Sequence, residues 1–536
     1  MGLQEGIITR SSNHFFSQLK PKATCDEMSR KRQRTLAEFN LPRGCPGQRR
    51  SAFGASSSNP IVIGDETEEA KSEPVGVKRE QVEIKREHVE IKKHEKVKCP
   101  MCNADITHLE IYLKEAHAER CLDKMPPPKR SKIRPPLPSI KVVKFNSSKV
   151  VVDGFNFAKD DSITHYFLSH FHSDHYMGMR KSWDHGIVYG SAITINLARS
   201  RFNMDPSRLR PLPMLEISWV TENLSVVLLD ANHCPGASVF LFQEWQDGKA
   251  IKQVLHTGDF RANDRLITQI RELTPWIDEI YLDTTYLIPG FHFPTQESVL
   301  RVTADFANEL VSKGPRELFR DNQRSILSYS GTRPRIFKFL FLIGTYTIGK
   351  EKLAIAIAHA LQTKIFIPRG SPRHKTVSQY IEYFPDELIT HTLAESCVHL
   401  VPLSTLQARD SIQAYLSKYS DIYEDAVGFI PTGWTFTNKW SKQPQFSDIQ
   451  SRVDYCKDIL VSAKDSLDLQ FILSQFKRQN RFQVFRVPYS EHSSFKDLVK
   501  FGCGVPCGQI LATVNLHSQE KLRDMQQWFA AWKEMG

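Results

Sequence analysis

The sequence predicts an α/β protein, and three observations carry the prediction. From about residue 146 short β-branched runs stand between polar turns, among them Val150-Val151-Val152, Val226-Val227-Leu228-Leu229, Ser238-Val239-Phe240-Leu241, Val254-Leu255 and Ile280-Tyr281-Leu282; such runs read as strands. Helical stretches follow at 296–312, 350–361 and 404–417, and strands first with helices interleaved later is an α/β order. Third, polar residues of metal-ligand type recur at predicted strand ends, where α/β folds gather their sites. Asp153 closes 148–152, His170 follows Tyr166-Phe167-Leu168, His233 follows 225–229, Asp259 follows 252–255 and Asp283 closes 278–282.

The chain has 536 residues, too many for one ordinary core, so two or three domains plus tails are expected. No apolar run is long enough to span a bilayer, and no charged-then-apolar start resembles a secretion signal, so a soluble, intracellular protein without a membrane partner is expected. The net charge is +11, with 26 Lys/Arg against 19 Asp/Glu in residues 1–140. That surplus suits an anionic partner, and a solvated tail accounts for it almost as well.

Residues 1–95 are poor in aromatics and rich in Ser, Lys, Arg and Glu, a composition that reads as a disordered tail. The tail carries short matches. Arg30-Lys31-Arg32-Gln33-Arg34, and Lys129-Arg130-Ser131-Lys132 further on, suit nuclear import. Ile61-Val62-Ile63-Gly64-Asp65-Glu66 resembles a SUMO-interacting strand. Val77-Lys78-Arg79-Glu80 and Ile84-Lys85-Arg86-Glu87 match the SUMO acceptor pattern. Gln33 to Phe39 resembles a sliding-clamp box, with Asn40 where a second aromatic is expected. Each is short enough to arise by chance.

In residues 96–124, Cys99-x2-Cys102 and His117-x3-Cys121 supply four ligands for one structural zinc. The second pair is expected on a helix at about 107–121, where a spacing of four puts both on one face, and the metal replaces a core too small to form. The segment resembles the type-4 ubiquitin-binding zinc finger, which implies ubiquitin or a ubiquitylated repair factor as partner. A DNA-binding finger is the alternative, but Glu110, Glu115 and Glu119 make that helix a poor surface for phosphates. Residues 125–145 read as a stiff, basic, Pro-rich linker.

The strongest signal is Ser169-His170-Phe171-His172-Ser173-Asp174-His175. Alternate side chains of an extended segment share a face, so His170 and His172 point the same way, with Asp174 and His175 at the turn beyond. Imidazole and carboxylate are ligands that Zn²⁺ takes in catalytic sites. A surface loop with chance histidines explains a lone His, not four ligand-type residues at this spacing. His233 in Asn232-His233-Cys234-Pro235-Gly236, Asp259 in Thr257-Gly258-Asp259-Phe260-Arg261 and His492 in Tyr489-Ser490-Glu491-His492-Ser493-Ser494 extend the set.

The ordered set His170-x-His172-x-Asp174-His175, His233, Asp259 resembles the signature of the metallo-β-lactamase fold. Asp283 in Leu-Asp-Thr-Thr-Tyr and His492 in Tyr-Ser-Glu-His-Ser-Ser resemble the β-CASP branch, and the wording around them is similar to the DNA cross-link repair exonucleases related to Artemis. The resemblance covers about residues 146–536. It implies an αββα sandwich with an inserted β-CASP domain: sandwich from 146–290 and 481–536, insert from 291–480. It also implies that His170, His172 and His233 hold one zinc, that Asp174, His175 and His492 hold a second, and that Asp259 bridges. Asp153 and Asp283 are then expected to position ligands, and Asp174, Asp259 and Asp283 to form the catalytic carboxylate set, with Asp174 holding or shuttling the proton. The implied protein is a nuclear, monomeric, zinc-dependent DNA 5′→3′ exonuclease of interstrand cross-link repair, with one or two catalytic metals. Alternatives are a structure-specific DNA endonuclease, an RNA-processing β-CASP endonuclease, a small-molecule metallohydrolase and an inactive ubiquitin-reading scaffold. The segment Ala512-Thr513-Val514-Asn515 has valine where RNA-directed members tend to place histidine.

Gly344-Thr345-Tyr346-Thr347-Ile348-Gly349-Lys350-Glu351 matches a phosphate-binding P-loop except at Glu351, where a hydroxyl is required for Mg²⁺, so nucleotide hydrolysis is rejected. The turn opens a helix, and with Lys350 it offers a site for a DNA phosphate; a tight packing turn is the alternative. Residues 315–336 depart from the family pattern as a polar, basic insert, expected as a disordered surface loop, with a DNA-contacting loop or a gene-model error as alternatives.

Overall fold

The computed structural model describes residues 134–318, 339–432, 444–462, 465–476, 482–516 and 518–536. The tail motifs, the zinc ligands Cys99, Cys102, His117 and Cys121, and most of the 315–336 insert lie outside the described residues.

Two sheets form the first half. One runs β1 (Val142–Lys144), β2 (Lys149–Val152), β3 (His165–Phe167), β4 (Ile187–Ser191) and β5 (Leu209–Leu212) in spatial order, parallel except for the β1–β2 hairpin. The second contains β6 (Ile217–Trp219), β7 (Leu224–Asp230), β8 (Ser238–Gln246), β9 (Lys249–His256) and β10 (Ile277–Leu282), with the late strand β17 (Cys507–Ala512) at its edge beside β10. β6 to β9 are antiparallel neighbours, whereas β9, β10 and β17 run parallel.

The period-two pattern of the strands makes this a four-layer sandwich. Val150, Val152 and Phe167 of the first sheet pack with Val226, Leu228, Phe240, Phe242 and Val254 of the second in one buried cluster between the sheets. The alternate residues Val151, Tyr166, Val227, Leu229, Leu241 and Leu255 belong to another cluster that includes helix residues. Ile195, Leu197 and Ala198 of helix 192–202 join it, as do Leu266 and Ile270 of helix 264–273 and Trp528 and Trp532 of helix 519–535. Strands buried on both faces read as continuous apolar runs, which is why 226–229 and 239–242 are unbroken.

Between β10 and β17 the chain builds a third, all-parallel sheet. Its strands are β11 (Phe339–Thr345), β12 (Ile365–Phe366), β13 (Ile389–Thr390), β14 (Val398–Pro402), β15 (Asp425–Pro431) and β16 (Phe482–Val487), in the order β13-β12-β14-β11-β15-β16. Phe341 and Ile343 join a cluster with Val299, Val302 and Phe306 of helix 296–313 and Leu353 and Ile357 of helix 351–360. Leu340 and Leu342 pack instead with Leu403, Leu406, Ile412 and Leu416. The helix expected over 404–417 is divided: a 3-10 turn, Leu403–Leu406, precedes an α-helix, Arg409–Ser417. Among the described residues no helix is long and apolar enough to cross a membrane.

Candidate metal centre

Every catalytic-centre residue expected from the sequence comes to one end of the sandwich. Beyond β3, His172 is the extended N-cap (φ −94, ψ 155) of the short helix Ser173–Tyr176, which turns Asp174 and His175 back toward the strand ends. His233 lies on the turn after β7, where Asn232 takes a left-handed φ of 51 and donates its N–H to the Asp230 side chain at 2.9 Å. Asp259 follows β9 through Gly258, whose φ of +56 and approach to Ser169 (2.7 Å from an added Cβ to the Ser169 Cβ) demand glycine. Asp283 follows β10, and His492 lies after β16, just before the capping box Ser494–Asp497 of helix 495–504.

Three ring nitrogens converge. His170 Nε2 lies 2.9 Å from His172 Nδ1, and His233 Nε2 lies 3.1 Å from the same atom. Hydrogen bonding on the far side of each ring fixes its tautomer. His172 Nε2 donates to the Ile348 carbonyl at 3.2 Å and His233 Nδ1 to the Glu491 carbonyl at 2.8 Å. Ser169 Oγ gives its proton to Asp153 (2.7 Å), so it accepts from His170 Nδ1 at 3.0 Å. Burial holds His170 and His233 well below the usual imidazole range and takes His172 down to about 4. All three rings are therefore neutral near pH 7, with lone pairs aimed at one another at hydrogen-bond distance. Facing lone pairs repel unless a cation lies between them, and three imidazoles are a zinc-type donor set.

A second convergence surrounds Asp259. Its Oδ2 lies 3.2 Å from His175 Nε2, 3.8 Å from His170 Nε2 and 3.9 Å from His492 Nε2. Far-side carboxylates orient two of these rings: Asp153 Oδ2 is 2.7 Å from His175 Nδ1, and Asp283 Oδ2 is 2.8 Å from His492 Nδ1. Asp283 is itself held by the N–H and hydroxyl of Thr285, at 2.9 and 2.6 Å. Burial works against a charge on His175, but Asp259, Asp174 and Asp153 outweigh it and push its pKa well above the ordinary value. A proton on His175 or a cation beside it answers the same field. Among the described residues, the groups that could hold one ion are His170–His172–His233, His170–His175–Asp259 and His233–Asp259–His492, each with ligand atoms within 4.8 Å of one another. Asp174 stands outside these groups, 3.5 Å from His175 Nε2, with its side chain 73% exposed at the mouth.

The glycine turn corrects one expectation. The amides meant to receive a phosphate are taken by carboxylates: Gly349 N–H donates to Glu351 at 3.1 Å and Lys350 N–H to Glu491 at 2.6 Å. Lys350 Nζ lies 3.6 Å from Glu491 and 4.3 Å from the centre of the Tyr346 ring. Glu351, the residue that breaks the P-loop pattern, is buried under Tyr380 (2.9 Å) and Arg373 (3.5 Å). Two amides of the cradle are thus already filled from within, and Lys350 faces a protein carboxylate rather than an open phosphate site.

Sequence reasoning missed Arg261. Its buried guanidinium donates to the carbonyls of Ser490 (2.8 Å) and Pro294 (2.9 Å) and lies 3.4 Å from Asp497. It thus ties the Asp259 loop to both crossings between the sandwich and the third sheet. Val514, read as the DNA-type residue, offers its carbonyl to Thr284 at 3.1 Å, one position beyond Asp283.

The family described as DNA repair metallo-beta-lactamase matches residues 383–518, a span that includes His492. The chain is 36% identical to the DNA cross-link repair protein PSO2/SNM1 of Saccharomyces cerevisiae, across 95% of this chain and 93% of that one. It is 32% identical to the Schizosaccharomyces pombe protein pso2/snm1 across 76% and 66% of the two chains, and 24% identical to the 5′ exonuclease Apollo of Gallus gallus across 66% and 59%.

Proposed function

Because the chain belongs to the PSO2/SNM1 family of DNA cross-link repair proteins, we propose that its metal centre is a zinc site that shortens DNA from a 5′ end. The protein is a metal-dependent nuclease of interstrand cross-link repair. The observation that carries the zinc reading is the convergence of His170, His172 and His233 with their lone pairs fixed inward.

In this reading His170, His172 and His233 would hold one zinc; the family resemblance assigns His175, His492 and Asp174 to a second, and Asp259 Oδ2 lies 3.2 Å from His175 Nε2 and 3.9 Å from His492 Nε2. Bound zinc supplies a Lewis acid that acidifies water and offsets charge growing on the phosphate. The side chains do the remaining work. Asp153 and Asp283 keep the Nδ1 protons of His175 and His492 in place, leaving Nε2 of each ring as the inward donor. Asp174, at the mouth, takes the proton released by the attacking water and returns it to solvent.

The resemblance of the Cys99, Cys102, His117 and Cys121 finger proposes ubiquitin as a further partner, while the tail motifs, each short enough to arise by chance, would add SUMO, a sliding clamp and action in the nucleus. Cys99→Ala with Cys102→Ala is expected to abolish capture on immobilised ubiquitin and to leave cleavage of naked DNA intact; a matching loss of cleavage would place the finger inside the enzyme.

The central test offers the purified chain DNA and RNA oligonucleotides, single- and double-stranded, with 5′ phosphate or 5′ hydroxyl. The expected result is DNA shortening from the 5′ end that a chelator stops and zinc restores. Cleavage indifferent to chelation, starting at 3′ ends or favouring RNA would overturn the reading.

A further inference from the structure

The turn read above as a phosphate cradle bonds one histidine of the first convergence point, His172, directly and is linked to a second, His233, through Glu491. Ile348, inside it, supplies the carbonyl to which His172 Nε2 donates at 3.2 Å. Glu491 reaches it from the other side. Its main-chain oxygen accepts from His233 Nδ1 at 2.8 Å, while its carboxylate accepts from Lys350 N–H at 2.6 Å. Gly349 fills the gap: at φ +97, a Cβ there would lie 2.9 Å from Glu491 Oε2 and 3.3 Å from the Cβ of Cys234, the neighbour of His233. Lys350 holds a left-handed φ of 68, which a non-glycine residue keeps only where its surroundings over-determine it. Those surroundings are in place. Glu351 binds the Gly349 N–H, and Arg373 donates to the carbonyls of Thr347 and Tyr346 and to Thr345 Oγ1.

We infer that the Thr345–Lys350 turn positions the metal centre: its Ile348 carbonyl selects the His172 tautomer with Nδ1 inward, and the Glu491 link sets His233 from the same support. The inference rests on the metal-centre reading above. An imidazole without a fixed acceptor exchanges tautomers and turns about its own bonds; a carbonyl anchored on a strained, doubly stapled turn removes both freedoms. The third sheet thereby completes a three-imidazole site whose ring carriers all belong to the sandwich. Displacement of this one turn would disturb two of the three rings together.

The test uses the full chain loaded with cobalt(II), whose visible bands report ligand geometry, with thiolate-bound ion set apart by its charge-transfer band. Gly349→Ala, which pushes the turn off Glu491, is expected to weaken metal binding at the histidines about 10–100-fold in competition with a chelator and to shift the cobalt bands. Glu491→Gln, which keeps an acceptor but removes the charge facing Lys350, is expected to act in the same direction less strongly. Thermal melting identifies folded variants, and if Gly349→Ala does not fold, Glu491→Gln alone decides. A folded variant with wild-type affinity and wild-type bands would overturn the inference while leaving the metal centre standing. Wild-type chain that takes up no cobalt at its histidines would overturn both.

Discussion

Asp174 is the residue whose exposure makes its chemistry testable apart from its fold. Its side chain is 73% open and His175, at 3.5 Å, is its ion-pair partner among the described residues, so Asp174→Ala should change the stability of the metal-free chain by no more than about 0.5 kcal/mol. Nuclease activity should nevertheless fall to background; a folded, active variant would remove Asp174 from the centre. Asp283 is the opposite case, buried and joined to His492 Nδ1 at 2.8 Å. Asp283→Ala should cost about 10–100-fold in metal affinity, read by chelator competition, by freeing that ring. The histidines and Asp259 were legible in the sequence because four ligand-type residues crowd into one run and the others stand at strand ends. Ser169, Glu491 and Arg261 were not, since their roles come from partners that only folding brings together: Ser169 meets Asp153 16 residues away, and Arg261 meets Ser490 at a separation of 229 residues. A serine beside histidine or an arginine after Asp-Phe carries no local sign of such a partner.

At the scale of elements, the unbroken apolar runs made strands recognisable and left their assembly open. Val226 to Leu229 reads as a strand with any pairing, and only the division of its side chains between two buried clusters shows a sheet covered on both faces. Phe167 sits fully buried between the sheets against Phe240 and Phe242, with ring centres 5.3 and 4.9 Å away. Phe167→Ala should therefore cost about 3–5 kcal/mol in denaturant unfolding, and a loss below about 1 kcal/mol would contradict the packing described. Arg261→Ala acts between elements instead, removing the Arg261 donor from the Pro294 carbonyl, leaving the Ser490 carbonyl to Gln296 alone and taking the cation from beside Asp497. A loss of about 3–5 kcal/mol is expected. The 404–417 stretch reads as one helix because apolar spacing runs through it, while the structure breaks it between Leu406 and Arg409.

For the whole molecule, a ligand that binds only the folded state adds stability by mass action. With zinc at 100 times its dissociation constant that amounts to about 2.7 kcal/mol, so chelation should lower the melting temperature and zinc should restore it. The parallel pairing of β10 with β17 has a different consequence, one of timing. Thr513 bonds the Leu282 carbonyl across 231 positions of sequence. A ribosome adding about 5–20 residues per second needs roughly 10–50 seconds to travel that far. Throughout that interval the β10 edge of the nascent chain lacks its neighbour, and for nearly all of it His492 has not been made. Sheet closure and arrival of the last histidine thus fall together, late in translation. A chain abandoned before that moment has an open strand edge, a target for chaperones and proteases, and an incomplete centre. With the metal centre proposed above, copies that end before His492 are expected to lack nuclease activity.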